Sequence, residues 1–140
     1  ILEKFPVIRF VLIGPSDVFI PSHKRLMVKG AIEHSALPDY LVKASALIMP
    51  FKINDLILSV NPVKLYEYIA VGCPVITCQY EEINKFHDYV YSYETINDLE
   101  FIIGNLIDGE LEVKSKESRI EFLVKNTWTE RAKLIKSELS

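Results

Sequence analysis

Strand-sized apolar runs alternate with helix-like segments along this chain, and the alternation constrains the fold more than any other feature. Arg9–Gly14 is a mostly apolar run ended by Gly14 and Pro15, a pattern typical of a strand buried on both faces. Further strands are predicted over Arg25–Gly30, Ala46–Pro50, Pro74–Cys78 and Asp88–Tyr93. Apolar strands that alternate with helices indicate a parallel sheet.

Capping residues and apolar periodicity predict the helices between and after these strands. Their ranges are Ser35–Ala44 with Ser35 as the cap, Pro62–Val71, Thr95–Ile107, Ser118–Asn126 and Trp128–Leu139, and Lys52–Val60 is predicted to be an irregular connection. The pattern predicts one Rossmann-like α/β domain with helices on both faces of a parallel sheet and a helical C-terminal tail. In such sheets ligands bind at the carboxyl ends of the strands, here after Gly14, Gly30, Phe51 and Cys78.

The net charge and the cysteines indicate which partners and which cellular compartment to expect. The 140 residues carry 16 basic and 19 acidic side chains, and the net charge of −3 argues against a nucleic acid partner. Cys73 and Cys78 flank a predicted strand that places them roughly 16 Å apart, too far for a disulfide. Two free thiols favour a reducing compartment, so we predict a cytoplasmic protein. The three histidines are scattered, and neither a metal site nor a cofactor is predicted.

The stretch from Ser59 to Thr77 carries the most chemical information. Asn61 is a favoured helix cap, Pro62 suits the first helical position, and Gly72 followed by Pro74 marks the end of the helix. The positions between are mostly apolar, which predicts a buried helix. Only two of them are charged, Lys64 and Glu67.

Two interpretations of this charged pair stay open. Lys64 and Glu67 lie three residues apart and could form an ion pair on the helix surface. Alternatively, the helix begins at the ligand edge of the sheet, where its free N–H groups and positive dipole would attract a phosphate. The carboxylate of Glu67, one turn further along, would then accept hydrogen bonds from two hydroxyls of a ribose.

The same stretch, Asn61-Pro-Val-Lys-Leu-Tyr-Glu-Tyr-Ile-Ala-Val-Gly-Cys-Pro-Val-Ile-Thr, resembles the donor-site signature of family 4 glycosyltransferases. These enzymes have two Rossmann-like domains, the GT-B architecture. Arg9-Phe-Val-Leu-Ile-Gly-Pro, Leu37-Pro-Asp-Tyr-Leu-Val-Lys-Ala-Ser-Ala-Leu-Ile-Met-Pro-Phe and Asn126-Thr-Trp-Thr-Glu-Arg-Ala are also similar to segments of that family, in the expected order. The resemblance implies the C-terminal half of a retaining, metal-independent enzyme that binds a nucleotide-diphosphate sugar.

The resemblance also assigns residues to the donor site. Glu67 matches the second glutamate of a Glu-x7-Glu motif, which contacts the donor ribose, and Ser59 stands where the first glutamate would be. The resemblance further implies that backbone groups from Asn61 through Pro62 and Val63 to Lys64 hold the diphosphate or sugar. Ile32 would flank the base, and Gly14 closes a strand at the ligand edge.

The beginning of the chain and its partners give further expectations. Ile1–Pro6 has the pattern of a last helical turn ended by proline, with neither an initiator Met nor a signal peptide, so we expect a piece of a larger protein. By the resemblance, the missing part would hold the first strand and the domain for a glycan or lipid-linked acceptor in surface polysaccharide synthesis. The fragment alone is expected to be inactive and to self-associate. The intact enzyme is expected in the cytoplasm, with the inner membrane face as an alternative.

Two other functions are weighed against this one. The chain could be a donor-binding subunit without activity that needs a separate acceptor-domain chain. A signalling receiver is disfavoured, because Pro15 and Ser16 follow the first strand where a receiver needs clustered acidic residues. A dinucleotide enzyme is disfavoured, because no Gly-x-Gly-x-x-Gly motif occurs. Two further features receive plain structural interpretations: Glu81 and Glu82 are predicted to lie in a solvated turn, and Trp128 is predicted to anchor the last helix.

Overall fold

The computed structural model of the protein describes residues 1–138. Leu139, which ends the last predicted helix, lies outside them. The chain divides into two compact units, Ile1–Tyr40 and Leu41–Ser140. Both contain parallel strands and helical segments, so the mixed α/β class and the parallel pairing are confirmed.

The first unit holds a two-stranded parallel sheet. Strand β1 (Phe10–Leu12) pairs with β2 (Leu26–Val28), with Phe10 opposite Leu26. The prediction that β1 is buried on both faces is wrong, because Val11 is 48% exposed and Met27 on the partner strand is 52% exposed. In this unit β1 pairs only with β2. The apolar segment that the sequence predicted to be a buried central strand is therefore part of a two-stranded sheet.

The beginning of the first unit agrees with the helical turn predicted over Ile1–Pro6. Residues 1–5 form a single helical turn in which the Phe5 N–H donates to Ile1 O at 2.9 Å. The Arg25 guanidinium donates to the carbonyl oxygens of Phe5 at 2.6 Å and of Ile8 at 3.2 Å, and also to that of Leu2.

The helix predicted over Ser35–Ala44 is shorter than expected. A 3₁₀ turn, His34–Ala36, is followed by α1 (Leu37–Leu41), which ends three residues before the predicted boundary. Ser35 lies inside the 3₁₀ turn and is not a cap, because the residue preceding that turn is Glu33 and it makes no side-chain cap bond.

The second unit contains a three-stranded parallel sheet in the order β3-β4-β5. Strands β3 (Leu47–Met49), β4 (Val75–Cys78) and β5 (Tyr91–Tyr93) fall within the predicted segments. The central strand β4 is buried along its whole length. Its only hydroxyl, on Thr77, donates to Met49 O at 3.3 Å and so joins β4 to β3.

Helices account for most of the rest of this unit. A four-residue helix, α2 (Asp55–Leu58), is capped by Asn54 and interrupts the connection predicted to be irregular. The other elements are α3 (Val63–Val71), a 3₁₀ segment (Glu81–Phe86), α4 (Ile96–Asp108), α5 (Lys116–Lys125) and α6 (Trp128–Glu138). Helix α3 packs on β4 and α5, and α4 packs on β5.

The core of the second unit lies between α3, the sheet and the 3₁₀ segment. Leu65 and Phe86 are fully buried there, and Ile69 is nearly so. Tyr66 contacts Phe86 edge to face, with ring centroids 4.9 Å apart. Tyr66 also stacks on Phe122 of α5 at 5.8 Å, so aromatic rings fix one face of α3 in place.

Candidate functional site

The start of α3 lies at the carboxyl edge of the three-stranded sheet. In parallel strands the carboxyl ends meet at one edge, and the segments that follow β3 and β4 meet here. The Asn61 side-chain N–H donates to Glu82 Oε1 at 2.7 Å, and the Tyr80 hydroxyl lies 3.5 Å from Val60 O. The site is thus formed by two segments, one before α3 and one after the buried strand β4, and these hydrogen bonds hold them together.

The first turn of α3 is not capped as the sequence predicts. Pro62, not Asn61, precedes the first helical residue, and no side chain caps the helix. The Val63 N–H donates to Asn61 O and the Leu65 N–H to Pro62 O, both at 2.9 Å. Within residues 1–138, the backbone amides of Asn61 and Lys64 find no acceptor. Two donors therefore remain free at the positive end of the helix dipole.

The side chains of Lys64 and Glu67 are both exposed on α3. In the part of the chain that the structure describes, no ion pair joins them, and the Glu67 carboxylate has neither a hydrogen bond nor an ion pair, although its charge helps to raise the pKa of the neighbouring Tyr68. The prediction that α3 is buried nearly all round is wrong, since Val63 is 46% exposed. Leu65 and Ile69 are the buried residues of the helix, and Tyr66 and Tyr68 pack partly against the same core.

Ser59 and the two residues of the first unit have other neighbours. Ser59 ends α2; its hydroxyl donates to Asp55 O at 3.0 Å and its N–H to Leu56 O at 3.1 Å. Gly14, with φ of 131°, uses its N–H to bond Gly30 O at 2.8 Å across the ends of β1 and β2. Ile32 is half-buried in that unit. Among the predicted site residues, those from 59 to 67 thus form one continuous segment of the second unit.

Glu82 belongs to this edge, although the sequence predicted a solvated turn. Its side chain is only 23% exposed, and its Oε1 accepts from Lys85 Nζ at 2.6 Å as well as from Asn61. The hydrogen bond from Lys85 lowers the pKa of Glu82 most, and the Asn61 bond and the charges of Lys85 and Arg131 lower it further. Its position after the carboxyl end of β4 is the signal that could have identified it.

Arg131 of α6 is the second residue that sequence analysis missed. Its guanidinium donates to the Tyr66 hydroxyl at 2.7 Å and lies 3.5 Å from Asn61 Oδ1. It also stacks on the rings of Tyr66 and Trp128, at 5.1 and 5.3 Å from their centroids. Trp128 is 73% exposed, so it does not anchor α6 by burial. Trp128 and Arg131 are three positions apart on α6, a spacing that places them on one face of the helix. This spacing is the sequence signal that could have identified their contact.

A cavity of about 210 Å³ opens beside this cation, lined by Val63, Tyr66 and Trp128 among others. A second cavity of about 300 Å³ lies at the opposite, amino edge of the sheet. Cys73 lines the second cavity, and burial raises the pKa of its thiol, so it is a poor nucleophile at neutral pH. Both cysteines are free, as their spacing along the predicted strand requires.

The far end of α3 borders this second cavity and is closed by protein groups. The Arg119 guanidinium donates to Ile69 O at 2.9 Å and to Ala70 O at 3.1 Å. Gly72 adopts the left-handed conformation, with φ of 88°, that ends the helix as predicted. A Cβ on Gly72 would lie 2.5 Å from the Arg119 guanidinium, so glycine also makes room for that cation.

The described residues contain neither a cluster of metal-ligating side chains nor a helix that could span a membrane. Among residues 1–138 no three His, Cys, Asp or Glu side chains are grouped to hold a metal ion. None of the helices in that range has the length and apolar character required to cross a membrane. In comparisons with known proteins, no family model, no curated protein and no solved structure matches this chain.

Proposed function

We propose that this chain is the donor-binding half of a retaining glycosyltransferase of the GT-B architecture, and that it binds a nucleotide-diphosphate sugar at the start of α3. The observation that carries the proposal is the exposed Glu67 carboxylate one turn beyond the free amides of Asn61 and Lys64. This combination offers donors to an anion and an acceptor to sugar hydroxyls within one segment. The parallel strands of both units support the assignment to a Rossmann-like domain.

The chemistry of the site follows from charge and geometry. The two free amides and the helix dipole would stabilise negative charge as it develops on the departing diphosphate. Glu67, which has no partner among the described side chains, would accept hydrogen bonds from two vicinal hydroxyls of the ribose. The Ser59 hydroxyl donates to a carbonyl within its own helix, so the main contacts of the donor are assigned to Asn61, Lys64 and Glu67.

The proposal extends to partners and location. The acceptor is a glycan or a lipid-linked glycan that a separate domain would hold, with the reaction in the cytoplasm or at the inner membrane face. Exposed apolar side chains of the first unit, including Val11 and Met27, support self-association of the isolated chain. Size-exclusion chromatography over a range of concentrations tests this, and a monomer at all of them would contradict it.

Titration calorimetry with uridine and guanosine diphosphates tests the donor site. We expect Glu67→Ala to weaken binding by about 1–3 kcal/mol, the scale for losing hydrogen bonds to a charged group. Asp108→Ala is the matched control, because it also removes an exposed carboxylate from a helix of the same unit. Unchanged affinity for Glu67→Ala, or no binding by the wild-type chain and the full-length protein, would overturn the proposal.

A further inference from the structure

The side chain of Asn61 is held at both of its polar ends, while the cap position of α3 is occupied by Pro62, which has no side-chain acceptor. Its nitrogen donates to Glu82 at 2.7 Å, and its oxygen lies 3.5 Å from the Arg131 guanidinium. Asparagine is among the best residues for capping a helix start, and such a cap is worth about 1 kcal/mol. The sequence therefore places a good capping side chain beside α3, and the fold directs it elsewhere.

Each of the two charged groups that hold Asn61 is fixed by its own neighbours. Glu82 also accepts a bond from Lys85, and it lies in the 3₁₀ segment beside the fully buried Phe86 and Ile83. Arg131 donates to the Tyr66 hydroxyl at 2.7 Å and stacks on the same ring. The anchors of Asn61 are thus attached to the core on one side and to α3 and α6 on the other.

The backbone of Asn61 transmits its position directly to α3. Its carbonyl oxygen accepts the Val63 N–H, and the next carbonyl, of Pro62, accepts the Leu65 N–H. These two bonds define the first turn. Because both bonds are accepted by Asn61 or its neighbour Pro62, we expect a displacement of Asn61 to change the direction of the free amides of Asn61 and Lys64.

We propose that Arg131 and Glu82 are positioning residues that hold the first turn of α3 in its ligand-binding geometry through Asn61. This inference rests on the proposed function, because the contacts that they adjust are those of Asn61, Lys64 and Glu67 with the donor. Neither residue is assigned a contact with the donor itself. Arg131 and Glu82 instead hold the Asn61 side chain away from the first turn of α3 and restrict the movement of that turn.

The test compares local and global opening in Glu82→Gln and Arg131→Gln. Hydrogen exchange is measured by NMR at the Val63 and Leu65 amides, which form the first turn, and at the Ile69 amide in the last turn of α3. We expect exchange at Val63 and Leu65 to rise about tenfold in both variants while exchange at Ile69 is unchanged, the scale of one lost hydrogen bond to a charged group. Affinity for uridine or guanosine diphosphate should fall about tenfold in parallel.

Two matched variants control for loss of charge. Glu81→Gln removes the exposed carboxylate next to Glu82, and Lys133→Gln removes a cation from the exposed side of α6 that pairs with Glu130. Both should leave the first-turn exchange and the affinity at their wild-type values. If Arg131→Gln does not fold, Glu82→Gln carries the test alone, because it replaces the charged acceptor in the shorter of the two contacts of Asn61 with a neutral amide oxygen.

The outcomes separate this inference from the proposed function. Equal acceleration at Val63, Leu65 and Ile69 would mean general destabilisation, and it would overturn the positioning role, as would exchange and affinity that do not change. Selective acceleration without any nucleotide binding by the wild-type chain would uphold the link to α3 and overturn the donor function. Selective acceleration with weaker binding supports both.

Discussion

The two ends of α3 are built in opposite ways. At its carboxyl end, Arg119 occupies the carbonyls of Ile69 and Ala70, and Gly72 turns the chain away. At its amino end no side chain caps the helix, and two amides stay free among the described residues. Under the proposed function, the carboxyl end serves the fold and the amino end would serve the ligand.

The largest expected effect is on the free energy of unfolding, and it distinguishes substitutions on the packed face of α3 from those on its exposed face. Leu65 is fully buried, whereas Val63, at the start of the same helix, is 46% exposed. We expect Leu65→Ala to lower the free energy of unfolding by about 2–5 kcal/mol, because it leaves a cavity in the core. Val63→Ala should change it by no more than about 0.5 kcal/mol. Urea unfolding followed by circular dichroism measures both, and equal losses would contradict the assignment of the two faces.

The next effect tests whether the carboxyl end is purely structural. Arg119→Gln removes a charged donor from two carbonyl groups, so we expect a loss of about 1.5–3 kcal/mol in the free energy of unfolding. Nucleotide affinity, measured well below the melting temperature, should stay at the wild-type value. Reduced affinity in a variant that remains fully folded would show that the two ends are coupled, and the comparison above would then be wrong.

The smallest expected effect concerns the amino end of α3 and is a change in how the free energy of unfolding depends on pH. The pKa of Glu82 is lowered from its ordinary value of 4.5, so its bonds stabilise the fold above that pH. This stabilisation is lost as the pH falls through the lowered pKa. We expect Glu82→Gln to flatten the decline in unfolding free energy on acidification from about pH 5 to pH 3, relative to wild type.

A residual slope is expected in that variant, because the pKa values of Asp98 and Glu121 are lowered as well. Glu81→Gln is the control and should keep the slope of the wild type. An unchanged slope in Glu82→Gln would mean that the bonds from Lys85 and Asn61 do not form in solution.

Local signals predicted the elements of the second unit well. The strands β3, β4 and β5 follow from short apolar runs, and Gly72 followed by Pro74 marks the end of α3 correctly. Thr95 caps α4 through a reciprocal pair of bonds with Asp98, and Gly109 ends that helix as expected. In each case a few neighbouring residues determine the geometry, so the sequence around them is sufficient.

The errors arise where distant residues decide the outcome. Asn61 has the chemistry of a cap, but Glu82 and Arg131, 21 and 70 positions away along the chain, hold its side chain. The apolar pattern of β1 specifies a strand but not how many strands lie beside it. For the candidate site, the segment from Ser59 to Glu67 was singled out by its helix signals and by the family resemblance, whereas the contacts of Glu82 and Arg131 with Asn61 were not predicted, because no local pattern connects them.

The exposed indole of Trp128 has a practical consequence, since it is the only tryptophan in the chain. Its emission arises from one location, where the ring faces a guanidinium that also contacts the asparagine at the start of α3. Intrinsic fluorescence is therefore an unlabelled optical probe of that neighbourhood, and a change in its intensity or wavelength would report an event there directly.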